Sequence, residues 1–434
     1  MILIALSLLL VIIFFYDIKL FVPSLLVYFV FFDMFDGFYE ENKIYSAIRY
    51  LIPLALIAFY MMRFDVLKKS DFIFLILTVY LVFLWIVNSG DILVSSRNLM
   101  ALFITLLLIP VGKHLGRSVD FVQEFEKYNR VLLIALPLYI ISANVFNFGE
   151  SYTDEFSTGF LITSRMYVVP IVVFLAIHYI ITNKERSWLI KATDASFILL
   201  NLCLLLINTR RTTLGMLLGA LFVYTLLNRK IIFQMVMLVF VLVATLVFTY
   251  PLYEAKLTAQ LEKRERIQNL DTYEEEGRVL ETLYIMDYHQ KRENLAELLC
   301  GVKLFDTYEF GAKYFGRGRP IHSDINMIFF STGIIGVILF SMFFLHYFYS
   351  GNRRILHHNR KLYYPLLIVF LMVLLPGRFI GTLTYAPLLM LLLSSIKYCR
   401  LQPEAAKTGK EEAEGHYYQS GTLENTPGTK AVYS

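Results

Sequence analysis

The sequence predicts an all-α polytopic membrane protein of about 13 transmembrane helices (12–14) with a long helical outer loop. Three observations carry this. Hydrophobic residues make up 57% of the chain and aromatic residues 16%, beyond what a soluble domain uses. The apolar residues fall in runs of about 16–22, the length that crosses a bilayer as a helix. The basic residues of the short connections alternate between rich and sparse sets, which gives the chain an orientation.

Spans are expected near residues 2–16, 20–36, 44–62, 71–88, 98–112, 131–147, 165–182, 194–208, 212–228, 231–250, 324–349, 362–376 and 379–397. Residues 1–16 lack a basic leader and a small-residue cleavage site, so they read as a first span rather than a cleaved signal. Residues 1–250 thus form a block of spans, 251–321 an outer loop, and 322–397 the last spans. Residues 398–434 are polar and read as a disordered cytoplasmic tail.

The outer loop is the only long one. Residues 253–268 and 274–299 read as amphipathic helices, and the glycine- and aromatic-rich stretch after Cys300 shows no helical period. A loop this long in a membrane protein commonly has a task, here that of a lid.

One set of alternate connections holds Lys19, Arg63, Lys68, Lys113, Arg130, Lys184, Arg229, Lys230 and Arg353. The other holds Asp33 to Glu41, Asp91, and Glu150 to Glu155. The first set is expected in the cytoplasm, with the C-terminus, and the second outside. A second asymmetry concerns residue type. Near the outer ends of spans the cations are Arg49, Arg97, Arg165, Arg210, Arg211 and Arg378, against a single lysine, Lys43. A guanidinium fork grips phosphate or carboxylate through two parallel bonds, and an ammonium does not. The plain alternative is pairing with outer carboxylates or snorkelling to headgroups.

Four places are candidates for chemistry. His322 follows Pro320 and precedes Ser323 and Asp324, a helix start at the outer end of a span. A neutral imidazole there can take a proton from a hydroxyl; the alternative is a histidine that only caps the helix. Arg210 and Arg211 sit between two apolar runs with almost no loop, at a helix N-terminus suited to anions. Arg278 follows Glu274 by four residues and is equally well a surface ion pair. Arg317 and Arg319 lie in GRGRP, where glycines let backbone approach an anion and where a flexible basic loop is the simpler explanation. Arg165 and Arg378 are further candidates for substrate contact. Gly333 and Gly336 read as a small-residue face for helix packing.

Other chemistries find no motif. Cys203, Cys300 and Cys399 are scattered and form no metal or disulfide pattern. His322 and Asp324 are two ligands, too few for a metal site. There is no phosphate-binding glycine loop and no basic run for nucleic acid, so neither a cofactor nor a nucleic-acid partner is expected.

Taken together, NTRRTTLGMLLGAL, then EEGRVLETLYIM, then HSDINMIFFSTGIIGVILF resemble, in order and topology, the O-antigen ligase and polymerase superfamily of bacterial envelope proteins. The likeness covers roughly residues 195–350 and departs at Arg210–Thr213, where small residues are commoner. The resemblance implies a glycosyltransferase of the C-type membrane architecture, independent of metal and inverting. It implies a bacterial inner-membrane location with the site facing the periplasm. Its substrates would be oligosaccharides on undecaprenyl diphosphate, as donor and acceptor, with membrane lipid around them and a chain-length regulator as a further partner. Arg210 or Arg211, with Arg278, would hold the diphosphate, and His322 would act on the acceptor hydroxyl. Repeat-unit polymerisation is the favoured activity. Transfer of the glycan to lipid A–core, as an O-antigen ligase, is the alternative. A flippase is the reading from another class, and would show broken helices and ionisable residues at mid-membrane.

Overall fold

A computed structural model describes residues 1–39, 43–149, 156–183, 185–208, 211–234, 277–374 and 377–400, with scattered positions between 236 and 258. No strand occurs among the described residues. The helices are α1 (Ile2–Tyr16), α2 (Ile18–Phe35), α3 (Lys43–Arg63), α4 (Phe72–Asn88), α5 (Ile92–Ser118), α6 (Phe121–Val145), α7 (Val168–Thr182), α8 (Trp188–Ile207) and α9 (Arg211–Leu227). After the outer segment's α10 (Gly277–Arg292), α11 (Leu295–Cys300) and α12 (Tyr308–Phe315) come α13 (Asp324–Phe344), α14 (His357–Leu374) and α15 (Ala386–Tyr398). Among the described residues, eight stretches are long and apolar enough to cross a membrane, and α1, α9 and α15 are shorter apolar helices. The protein is therefore a polytopic membrane protein. The expected span at 231–250 falls partly outside the described residues, as does the amphipathic helix at 253–268. The tail at 401–434 lies wholly outside them.

Caps set several boundaries. Asp91 accepts from the amides of Leu93 and Val94, so α5 starts six residues before the apolar run that announces it. Asp120 accepts from Gln123, and α6 gains an amphipathic first turn whose Phe121 and Phe125 are buried.

The centre of the bundle is α15. Every residue from Ala386 to Lys397 is buried, and a helix apolar on all sides belongs inside. It lies along α5, where Gly112 and Gly116 clear its path. A Cβ on Gly112 would stand 2.0 Å from Ser394 Oγ, and one on Gly116 2.2 Å from the Ser395 carbonyl oxygen. Small residues four apart bring two helix backbones together, and close packing then replaces the hydrophobic drive that lipid does not supply. The serines do not leave polar atoms unpaired: Ser394 Oγ donates to Met390 O at 2.8 Å and Ser395 Oγ to Leu392 O at 3.1 Å.

Buried ionic contacts fix one end of this pair. Lys113 of α5 reaches Asp71 Oδ1 at 2.6 Å, and Tyr347 OH donates to the same oxygen at 2.6 Å. Lys397 of α15 donates to the Tyr347 and Ser350 carbonyls at 2.6 and 2.7 Å.

Two expected spans are interrupted. The segment read as helical from 379 begins its helix only at Ala386. Gly377 and Gly381, both at φ +89°, and Arg378, at φ 75°, turn the chain instead. Irregular backbone at this depth survives because protein surrounds it: Phe379, Ile380 and Leu383 are buried. The second break is in α13, at Gly333 (φ 62°, ψ −168°). Gly333 is thus a helix break, not one half of a flat packing face. A Cβ there would meet the Leu299 carbonyl at 2.3 Å.

The outer segment enters that break. Val302 N donates to Phe330 O at 2.9 Å, Leu304 N to Asn88 O at 2.8 Å, and Asn88 Nδ2 to Gly301 O at 3.0 Å. Tyr80 OH takes up the Thr332 carbonyl at 2.7 Å. Residues 301–307 are therefore docked into the bundle, not laid over it as a lid, and Leu304, Phe305 and Thr307 are buried. The stretch without helical period also contains a helix, α12, because Gly311 lets the Arg319 backbone fold against it.

A valine at position 112 or 116 is expected to lower the thermal unfolding midpoint in detergent, by about 1–3 kcal/mol or more of stability. Gly318→Ala, where a Cβ meets nothing nearer than 3.9 Å, should leave the midpoint in place. Equal midpoints for all three would refute the close-packing account.

Candidate functional site

The site is built where the start of α13 meets the turn before α15. Asp324, the first residue of α13, is buried and accepts from the amides of Phe379 at 2.7 Å and Ile380 at 3.1 Å. Gly377 lies so close to His322 that a Cβ would fall 1.3 Å from the His322 carbonyl oxygen. His322 is thereby locked to the 377–385 segment.

A second lock comes from α10. Glu281, its carboxylate 1% exposed, collects the donors at this junction. Both its oxygens accept from His322 N, at 3.1 and 3.2 Å, and Oε2 also accepts from Ser323 N at 3.4 Å. Arg319 Nη2 reaches Oε1 at 3.2 Å while its guanidinium stacks 3.6 Å above the Phe315 ring. The α13 N-terminus thus takes its cap from another helix, since neither Ser323 nor Asp324 caps it with a side chain. Finally, His322 Nδ1 lies 3.1 Å from Glu281 Oε1. A carboxylate only accepts, so Nδ1 carries the proton, and Nε2 is left as the basic nitrogen. His322 is about one-third exposed. The one histidine of α10, His289, is a packing group: its ring lies 5.4 Å from Phe329, and burial pushes its pKa down.

Beside this junction lies a cavity of about 410 Å³, within the range of small-molecule sites. It opens at the end of the bundle that the charge bias of the connections leads one to expect outside. Its lining includes four arginines: Arg49, Arg97, Arg165 and Arg378. Pro320 and Ile321 line it too; His322, the next residue, does not.

The four arginines are in two states. Arg165 forms a fork on Asp36, Nη1 to Oδ1 and Nη2 to Oδ2, each 2.8 Å. Arg49 pairs closely with Asp33 and reaches Asp36 Oδ2 at 3.4 Å. Thr384, from the segment before α15, also binds Asp33. This half of the wall is neutral and rigid. Arg378 and Arg97 are different. Arg378 donates to the neutral Thr163 Oγ1 at 3.1 Å, and both residues have left-handed backbone, at φ 75° and 49°. Such strain persists only where surrounding structure imposes it. Arg97, on α5, is exposed, and no carboxylate among the described residues pairs with either Arg97 or Arg378.

The other sequence candidates divide as follows. Arg210 and the side chains of Arg211 and Arg278 lie outside the described residues. Arg211 opens α9, and Arg278 stands one turn before Glu281 on α10. Arg317 is exposed, and Arg319 serves Glu281. The sequence reading missed Glu281 as a partner of His322. Its only signal was an acid three residues after Arg278, on one helical face. Among the described residues, no three His, Cys, Asp or Glu side chains converge as metal ligands.

Comparison with protein-family models, with curated proteins and with solved structures finds no match to this chain. Fold and site together define a polytopic helical membrane protein with an arginine-lined cavity beside a carboxylate-held histidine.

Removing Arg49 would leave buried Asp33 with only Thr384 and the more distant Arg165, Nε at 4.0 Å. Arg49→Gln is expected to destabilise the protein by about 3–5 kcal/mol, and Asp33→Asn in addition to recover part of that. The check is the unfolding midpoint across the double-mutant cycle; simple additivity would rule out the pairing as the cause.

Proposed function

We propose that the chain is an inverting membrane glycosyltransferase that polymerises oligosaccharide repeat units carried on undecaprenyl diphosphate at the outer face of a bacterial inner membrane. The observation that carries this reading is His322, its Nδ1–H held by buried Glu281 beside an arginine-lined cavity. The likeness of residues 195–350 to the O-antigen ligase and polymerase superfamily supports it.

In the proposed reaction the acceptor hydroxyl attacks the anomeric carbon of the donor glycan from the face opposite the diphosphate. The new bond joins that carbon to the acceptor oxygen. The bond from the carbon to the diphosphate oxygen breaks, and the electron pair leaves on the lipid diphosphate. His322 Nε2 takes the hydroxyl proton, and Glu281 holds the ring in the tautomer that can do so. Arg278 with Arg210 or Arg211 stabilises the charge that grows on the leaving diphosphate, without proton transfer. Transfer to lipid A–core would use the same steps with another acceptor.

A flippase is the second reading, and one observation favours it. α13 is broken at Gly333 and the chain before α15 is irregular, as in carriers with discontinuous helices. The Arg165–Asp36 and Arg49–Asp33 groups beside the cavity argue the other way, since Asp33 and Asp36 stand at the end of α2.

The deciding experiment supplies purified protein with the undecaprenyl-diphosphate repeat unit alone and looks for a product ladder. A ladder is expected, weakened about 10²–10⁴-fold by His322→Ala and also reduced by Glu281→Gln. Arg210→Lys or Arg211→Lys should fail as well, because the charge stays but the fork is lost. Product only on adding lipid A–core would mean a ligase. Silence with both acceptors, from folded protein, would reject glycosyl transfer and favour the flippase.

A further inference from the structure

Among the described residues, the cavity lining holds more positive charge than its own acids neutralise. Arg49 and Arg165 are matched by Asp33 and Asp36. Among the described residues no carboxylate forms an ion pair with Arg97 or Arg378: Arg378 bonds Thr163, and Asp324, which attracts it from nearby, spends its oxygens on backbone amides. Cations sharing one cavity repel, and an entering anion relieves that repulsion most where water is partly excluded. Both are arginines, so the fitting anion is a planar or tetrahedral oxyanion that accepts two bonds at once.

The rest of the lining says what carries the anion. Tyr39 and Tyr45 present rings 4.8 Å apart, and Tyr308, Phe160 and Tyr50 add aromatic faces. Between them stand Ser46, Asn98 and Thr382. Asn98 is fixed by its bond to the Phe305 carbonyl at 3.0 Å, which turns the docked outer segment into part of the wall. Flat aromatic faces suit the CH face of a sugar ring, and hydroxyl and amide groups suit its hydroxyls. A bare phosphate needs no such platforms.

We infer that this cavity takes a sugar bearing an oxyanion, a hexuronate carboxylate or a sugar phosphate, and that Arg97 and Arg378 select for it. The inference rests on the glycan-transfer reading and adds the substrate class: repeat units that contain an acidic sugar. Arg97 is the better handle. It is exposed and pairs with no carboxylate among the described residues, so its substitution should leave the fold alone, whereas Arg378 sits in a strained turn.

The test measures binding, not turnover, by calorimetry on the full chain in neutral-lipid nanodiscs. The probes are a glucuronate-containing disaccharide, its methyl ester, glucose 1-phosphate and inorganic pyrophosphate. The disaccharide or the sugar phosphate should bind, and which of them does so identifies the oxyanion. The methyl ester should bind about tenfold or more weaker than the free acid if the carboxylate is read. Arg97→Gln should remove the preference for the charged probe, and Arg378→Gly, which relieves the backbone strain, should do the same. The proposal is overturned if the ester binds as well as the acid and the sugar phosphate is silent. It is overturned equally if Arg97→Gln changes nothing, or if only pyrophosphate binds. Acidic-sugar binding in a protein that yields no ladder would sink the polymerase reading and leave this one standing.

Discussion

The approach of α15 to α5 is the contact on which the remaining structure depends. A short helix with no exposed face cannot be held by lipid, and it needs neighbours on every side. Gly112 and Gly116 give it one neighbour at backbone distance. Everything attached to α15 then inherits a fixed position. At one end that is Lys397 on the Tyr347 and Ser350 carbonyls. At the other it is the irregular 377–385 segment, with Thr384 on Asp33, Thr382 on Ser164, and the Phe379 and Ile380 amides on Asp324. The candidate site is assembled on that segment. Helix packing fixes that segment, and the polar contacts of Asp324 and Glu281 then hold His322 to it.

One residue type does two jobs at the outer end. Burying an ion pair costs desolvation that only good geometry repays. Arg49 and Arg165 meet that condition with Asp33 and Asp36, and they act as structure. Among the described residues, no carboxylate forms an ion pair with Arg97 or Arg378. The excess of arginine over lysine outside was visible in the sequence. Which arginines are matched was not, because Asp33, Asp36, Arg49 and Arg165 come from three separate stretches of chain. The plain explanation of that excess, pairing with carboxylates, holds for Arg49 and Arg165.

Helices were the legible part. Apolar runs mark their own ends to within a turn, and Asp91 and Asp120 account for the larger discrepancies as caps that polar periodicity hides. The breaks were less legible. Gly333 reads as a packing glycine until Gly301 is brought against α13 by a fold-back of the outer segment. The turn before α15 reads as helix because Phe379, Ile380 and Leu383 are apolar, and burial against protein looks like burial in lipid. Of the site, His322 was legible by its place between Pro320 and Asp324. Glu281 was not, because an acid on an amphipathic outer helix is ordinarily a solvated group, and only the crossing of α10 over the α13 N-terminus makes it a partner.

That crossing has a consequence for how the outer segment works. His322 is held from two directions, by Glu281 on α10 and by Gly377 and Asp324 on the side of α15. The first hold depends on the outer segment staying docked. Docking is secured at the α13 break, by Val302 on Phe330, and at the ends of α4 and α5, by Leu304 on Asn88 and Asn98 on Phe305. A continuous α13 would offer no free Phe330 carbonyl, and the segment would lose that anchor. The glycine break, the docked loop and the oriented imidazole therefore form one chain of dependence. An irregularity deep in a span is what fixes the orientation of an imidazole at its end.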